Sequence, residues 1–213
     1  MPVAVLLLAA ACSDDDSPTA DEALASSPTV QVTPSSETIA PTPADDTDSQ
    51  VDSGFTALPT RDGPRRETTL GVPHIQLDAV AVPEVDAELR RRVFSLPGVE
   101  DRPSELGFGG ARSLWLSDDI ELARPEILLS GREFAHIHPN GSLHIWLPVD
   151  RAFEVALTKW GELHPWVGRE DFWDGMSMIY TPETLDEVDV TMLLVVDAYN
   201  YVTGANLDPA DFG

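Results

Sequence analysis

The stretch REFAHIHPNGSLHIWLP, Arg132–Pro148, decides how this chain folds. Two runs with β-type alternation flank Pro139-Asn140-Gly141. Register matters because a slip of one residue sends every side chain to the opposite face of a sheet. A two-residue Asn-Gly loop pairs Pro139 with Ser142. A three-residue loop pairs His138 with Ser142, heads a type I turn with Pro139 and sets Gly141 in the left-handed region. Proline has its φ already near the first turn position and no N–H to give a ladder. The three-residue loop is therefore expected. It places His136 opposite His144 and Phe134 opposite Trp146, with His138 on the same face. Ala135, Ile137, Leu143, Ile145 and Leu147 then form an apolar face suited to a core.

Outward from this hairpin, periodicity gives the remaining elements. His74–Val82 alternates through Ile75, Leu77, Ala79 and Ala81 and reads as a strand. Glu84–Leu96 has Val85, Leu89, Val93 and Leu96 at helical spacing and stops before Pro97-Gly98. Ala111–Leu116 and Met176–Tyr180 read as short strands. Asp150–Trp160 reads as an amphipathic helix with Gly161 as its C′ residue. Thr181 and Pro182 open a long helix that ends before Gly204. Strands and helices do not alternate strictly. The expected class is α+β, a small, largely antiparallel sheet packed with two or three helices.

The chain has 213 residues, with 13 Lys and Arg against 37 Asp and Glu, a formal charge of −24. Residues 1–60 hold ten of the acids and no Lys or Arg, which leaves −14 on the rest. This balance opposes binding to nucleic-acid phosphates, which requires clustered cations, and electrostatic docking on anionic lipid. A single cysteine excludes a disulfide framework and a thiolate zinc cluster. That cysteine, Cys12, follows the apolar run 3–11, too short for a span of about 20 residues but suited to a signal peptide. Small residues before the lone Cys resemble a bacterial lipoprotein signal, 1–12, with Cys12 as the lipidation site. The resemblance implies a lipid anchor in the cell membrane and an extracytoplasmic location. Residues 13–63, rich in Ser, Thr, Pro and acids, read as a disordered linker, because they bury too little apolar surface to offset chain entropy. The folded domain is expected over 64–213, preceded by this N-terminal tail.

The chemistry-bearing residues lie in the hairpin. Three imidazoles on one sheet face have three readings: a metal site of neutral ring nitrogens, an acid/base cluster, or a hydrogen-bonded structural group. No carboxylate spacing supports the metal, so no cofactor is expected. His164, in Trp160-Gly161-Glu162-Leu163-His164-Pro165-Trp166, follows the amphipathic helix on a loop that can close over this face. Trp160 and Trp166 are read first as core or rim packing. Glu133 is either a buried acid or a strand-end charge.

Arg132-Glu133-Phe134-Ala135-His136-Ile137-His138, then Ser142-Leu143-His144, Trp160-Gly161-x-x-His164-Pro165 and Tyr180-Thr181-Pro182 together resemble the luciferase domain of fungal luciferases, over about residues 125–204. All four histidines fall on motif positions. The family's Arg after Tyr-x-Pro is Glu183 here, which argues against anion binding at that position. The resemblance implies oxygenation of a 3-hydroxy-α-pyrone by molecular oxygen, through a cyclic peroxide that loses carbon dioxide. Under it, His136 or His144 is the base, and His138 and His164 orient the substrate or donate to oxygen. Phe134 and Trp146 form the platform for a flat substrate, and Trp160, Glu133 and Tyr180 complete the substrate-binding set. The partners implied are a small aromatic molecule and oxygen, with no nucleic acid. The competing reading is a tethered module that binds a small molecule or a metal without turnover.

Overall fold

The structure is a computed structural model that describes residues 54–213. The signal-like stretch, Cys12 and the linker to residue 53 lie outside the described residues. Six antiparallel strands form one sheet in the order β1-β2-β3-β4-β6-β5. They are β1 (Val99–Pro103), β2 (Arg112–Leu116), β3 (Glu133–Ile137), β4 (Leu143–Trp146), β5 (Gly161–Leu163) and β6 (Met176–Ile179). Three helices accompany them: α1 (Pro83–Val93), α2 (Val149–Leu157) and α3 (Leu185–Thr203). The α+β class with a small antiparallel sheet is as expected. Among the described residues no helix is long and apolar enough to cross a membrane.

The hairpin takes the three-residue loop. His136 pairs with His144, and Ala135 with Ile145. The His138 amide donates to Ser142 O at 2.8 Å, and Gly141, at φ +86°, donates back to His138 O. The face carrying Ala135, Ile137, Leu143, Ile145 and Leu147 is fully buried. Helix α3 covers β3 and β4 and packs against α1, which buries Val85, Leu89 and Val93. Burying an aliphatic side chain contributes about 1.5–3 kcal/mol, so this two-layer core holds the hairpin rigidly.

One irregularity governs the site. Leu114 pairs with Ala135 but its neighbour Trp115 pairs with Glu133, so β3 carries one extra residue, Phe134. In a regular strand, residues three apart point to opposite faces. The bulge reverses that parity. Phe134 packs edge-to-face on Tyr199 of α3 at 5.8 Å, within the core, while Glu133 reaches the face of His136.

Several elements differ from the sequence pattern. Residues 74–82 form no strand, only an isolated Thr68–Gln76 bridge. The polar residues His74 and Gln76 are buried there while Leu77 and Val80 face solvent, because hydrogen bonds rather than apolar contacts hold the segment. Gly161 lies in β5 instead of ending α2. The cap of α3 is Thr184, which accepts from Glu187 N; Thr181 is instead occupied with Asn140 O and Gln76. The packed chain also begins upstream of residue 64. Leu58 and Arg61 are buried, Pro59 O accepts from Trp160 Nε1 at 2.6 Å, and Arg61 pairs with Glu187 at 2.9 Å.

A Cβ at Gly161 would run into the Met178 carbonyl of the neighbouring strand, whereas Gly71 has open space around it. Gly161→Ala is expected to cost about 1–3 kcal/mol, the usual penalty of overpacking, and Gly71→Ala almost nothing. Thermal unfolding of the two variants checks this.

Candidate functional site

Five imidazoles converge on the open side of β3 and β4: His74, His136, His138, His144 and His164. Each is at most 7% exposed, yet all five line a cavity of about 170 Å³. The sheet supplies His136 and His144, and the turn that follows β3 supplies His138. The loop after β5 brings His164. His74 comes from the loop 68–77, fastened by Gln76, whose Oε1 accepts from Thr181 N at 2.9 Å and whose O accepts from Asn140 Nδ2.

The outer partners of these rings set where their protons lie. Glu133 Oε1 sits 2.8 Å from His136 Nδ1, and Glu162 Oε1 lies 2.7 Å from His74 Nε2. Burial raises both carboxyls, but the hydrogen bond to the paired histidine, with the Ser104 hydroxyl at Glu133 and the Tyr180 hydroxyl at Glu162, leaves each below the ordinary carboxylate range. Ionised carboxylates only accept. His136 Nδ1 and His74 Nε2 therefore each carry a hydrogen. The Ser142 hydroxyl spends its one hydrogen on Asn140 Oδ1 at 2.8 Å, so its oxygen accepts from His138 Nδ1 at 2.9 Å. His138 Nε2 is thereby a bare lone pair. His164 is the reverse: its Nδ1 accepts from Trp166 N at 3.2 Å, which leaves the proton on Nε2.

His144 stands in the middle. Its Nδ1 lies 3.1 Å from His136 Nε2 and its Nε2 lies 3.0 Å from His74 Nδ1. The result is an unbroken chain, Glu133–His136–His144–His74–Glu162. Burial lowers His138 to about 3 and His164 to about 4, assisted by the charge that a protonated His74 or His136 would place beside them. His144 is pushed well below its ordinary value, first by burial and then by the four surrounding rings. These rings are neutral near pH 7.

Two triads have ring nitrogens within 4.8 Å of one another, the reach of a shared ion: His74, His144 and His164, and His136, His138 and His144. The proton on His164 Nε2 denies the first a third lone pair. The second brings the bare Nε2 of His138 together with ring nitrogens of His136 and His144, and imidazoles with hydrogen-bonded outer nitrogens suit a first-row transition ion.

The four histidines singled out from the sequence all reach the cavity. Phe134 does not: the bulge turns it into the core. Trp146 is on the histidine side, 6.3 Å from the His136 ring, but fully buried beneath it. Trp160 packs under Arg61 and Pro59, away from the cavity. Tyr180 buttresses Glu162 at 3.1 Å, and Glu133 is the buried acid. The aromatic walls are instead Phe108, 4.9 Å from the His138 ring, and Phe172, stacked on His164 at 4.8 Å, with Trp166 half-exposed at the mouth. Leu106, Leu129, Val72 and Met176 complete an apolar lining that holds no Lys, Arg, Asp or Glu. His74, Glu162, Phe108 and Phe172 carry no motif in the sequence; only the fold reveals them.

Residues 131–198 match the family described as Luciferase domain. A protein named Luciferase from Armillaria mellea is 26% identical over 175 residues, which cover 72% of this chain and 63% of that protein. The chain thus spans less than two thirds of the length of that relative. No solved structure matches the chain.

The placement of the two phenylalanines separates core from cavity. Phe134→Ala is expected to lower stability by about 3–5 kcal/mol, as for a large buried aromatic. Phe108→Ala is expected to unfold almost like wild type but to bind 4-nitrophenol at least several-fold more weakly, read by quenching of tryptophan fluorescence.

Proposed function

Because residues 131–198 match the Luciferase domain family, we propose that the cavity binds a small, planar, uncharged hydroxylated aromatic or pyrone-type molecule and oxygenates it with molecular oxygen. The observation that carries this reading is the pairing of a bare acceptor, His138 Nε2, with a donor, His164 Nε2–H, in an apolar aromatic cavity. A ring bearing a hydroxyl next to a carbonyl offers the complementary pair. An engineered apolar cavity of about 150 Å³ holds benzene, so a single substituted ring is the fitting size. A phosphate or carboxylate substituent would meet no cation among the lining residues, and a buried unpaired charge is costly.

Ground-state oxygen is a triplet and reacts slowly with closed-shell molecules unless they are electron-rich anions. Removal of the hydroxyl proton by the imidazole cluster supplies such an anion. The anion gives one electron to oxygen, the radical pair closes to a C–O bond, and the peroxide oxygen so formed accepts a hydrogen bond from His164 Nε2–H. No flavin or haem is required for these steps. General-base catalysis contributes about 10²–10⁴-fold, and a fixed donor at the developing negative charge adds to it.

The second reading, a module that captures a ligand or metal without turnover, is favoured by the three convergent ring nitrogens of His136, His138 and His144. Oxygen uptake with 3-hydroxy-2-pyrones and catechols tests the first. Uptake that drops about 10²–10⁴-fold in His138→Ala supports the oxygenase; saturable binding of these compounds with no oxygen consumed overturns it. Cys12, by its position after the apolar run 3–11, would anchor the domain at the outer face of a bacterial membrane. Cys12→Ser is then expected to shift the protein from the membrane to the soluble fraction of the cell, and an unchanged distribution contradicts the anchor.

A further inference from the structure

Three of the five imidazoles are spaced as ligands of a single ion. The ring centres of His136, His138 and His144 lie 5.1, 5.1 and 4.8 Å from one another. Imidazoles that share an ion at about 2.0–2.1 Å per nitrogen have their ring centres about 5 Å apart. His136 Nε2 and His144 Nδ1 are separated by 3.1 Å, within the span of about 2.9–3.4 Å that two nitrogens on such an ion cover. His138 Nδ1 is held by Ser142, so Nε2 is the atom it has left to join them. Charge points the same way. Glu133 is fully buried and Glu162 half-buried, the ion-pair partner of each is a histidine, and among the described residues neither meets Lys or Arg. Buried charges are ordinarily paired or held by a metal, and two carboxylates match one divalent ion between them.

Resting on the second reading, in which the cavity captures its partner without turnover, we propose that His136 Nε2, His138 Nε2 and His144 Nδ1 bind one divalent first-row transition ion. Imidazole suits zinc, copper, iron and nickel. The ion takes a lone pair from each side of the 3.1 Å contact, which then needs no hydrogen. His144 keeps its hydrogen on Nε2 and gives it to His74 Nδ1 at 3.0 Å, and His74 passes its own to Glu162 at 2.7 Å. Glu133 holds the outer nitrogen of His136, and Ser142 that of His138. Every ring nitrogen of the triad is then engaged, and the carboxylates stand behind the ligands instead of among them, the usual arrangement of a metal-bound histidine. Glu133 is itself fixed by the Ser104 hydroxyl and the Glu105 amide. Three protein nitrogens leave a position open, and all three rings line the cavity. A hydroxyl next to a carbonyl can give both of its oxygens to the ion, which takes over from the His138 lone pair as partner of the hydroxyl. His164, whose Nδ1 accepts from the Trp166 amide, stays outside the set and keeps its Nε2–H for the guest.

Full-length protein, first stripped with a chelator, is titrated with Co²⁺, whose visible spectrum reports its coordination, and then with Zn²⁺. The expected result is one equivalent of Co²⁺ with the intense visible bands of a four- or five-coordinate ion, displaced by Zn²⁺. Glu133→Gln is expected to weaken the ion about 10–100-fold, as when the outer partner of a metal-bound histidine is removed. His138→Ala is expected to lose it and His164→Ala to keep it. In wild-type protein labelled with ¹⁵N-histidine, Zn²⁺ is expected to shift Nε2 of His136 and His138 while the Nδ1–H of both persists, a readout that needs no variant. 4-Nitrocatechol added to the cobalt protein is expected to move the cobalt bands, and bands that stay in place overturn the open position. An ion lost in His164→Ala but kept in His138→Ala, or ring signals unmoved by Zn²⁺, overturns the inference. Protein that binds 4-nitrophenol but neither ion overturns the inference alone, and protein that binds none of the three overturns the module reading with it.

Discussion

A buried imidazole must spend its one N–H and its one lone pair somewhere, and this requirement organises the domain. Five rings sit within a few ångströms in an apolar setting where charging any of them is costly. Their outer nitrogens are each engaged, by Glu133, Glu162, Ser142 or the Trp166 amide, or by another ring in the case of His144. These partners dictate tautomers, and the tautomers dictate which atoms the cavity presents: an acceptor at His138 and a donor at His164. Orientation of a functional ring by the group behind it is a familiar device. Here it extends across both carboxylate ends of one chain.

The scaffold serves this arrangement through a single extra residue. Without the bulge at Phe134, Glu133 would point into the α3 side and His136 would lack its carboxylate. The same insertion gives Phe134 to the core, where it packs on Tyr199. One irregularity thus supplies an aromatic to one face and an acid to the other. The loop 68–77 makes a comparable exchange, exposing Leu77 and Val80 so that His74 and Gln76 can be buried and bonded. These two departures from ideal patterning coincide with contacts of the site, as expected where function competes with regular packing.

Much of this was legible in the sequence, for identifiable reasons. Proline's fixed φ and missing N–H determined the loop length at Pro139, and loop length determined the register that joins His136 to His144. The apolar stripes of α1 and the Gly204 stop of α3 followed from spacing and from left-handed backbone. The bulge was not legible, because nothing in Glu133-Phe134-Ala135 marks an extra residue; it is created by pairing with β2, far away in the chain. His74 was hidden for a related reason. Its segment alternates like a strand with Ile75 and Leu77 inward, and only long-range hydrogen bonds reverse that choice. β1 and β5 were missed because the first is an exposed polar edge and the second is three residues long. Phe134 and Trp146 had the right chemistry for a platform, but packing buries both, and the aromatic side chains along the cavity are Phe108, Phe172 and Trp166.

The site is defined by the placement of its protons, which can be observed directly. Long-range ¹H–¹⁵N correlation spectra of histidine-labelled protein distinguish the two tautomers of each ring. The structure requires Nδ1–H at His136 and His138, Nε2–H at His74 and His164, and one N–H at His144 in the unliganded protein. Nε2–H at His138, or Nδ1–H at His164, would contradict it, because the acceptor and the donor that define the site would then change places.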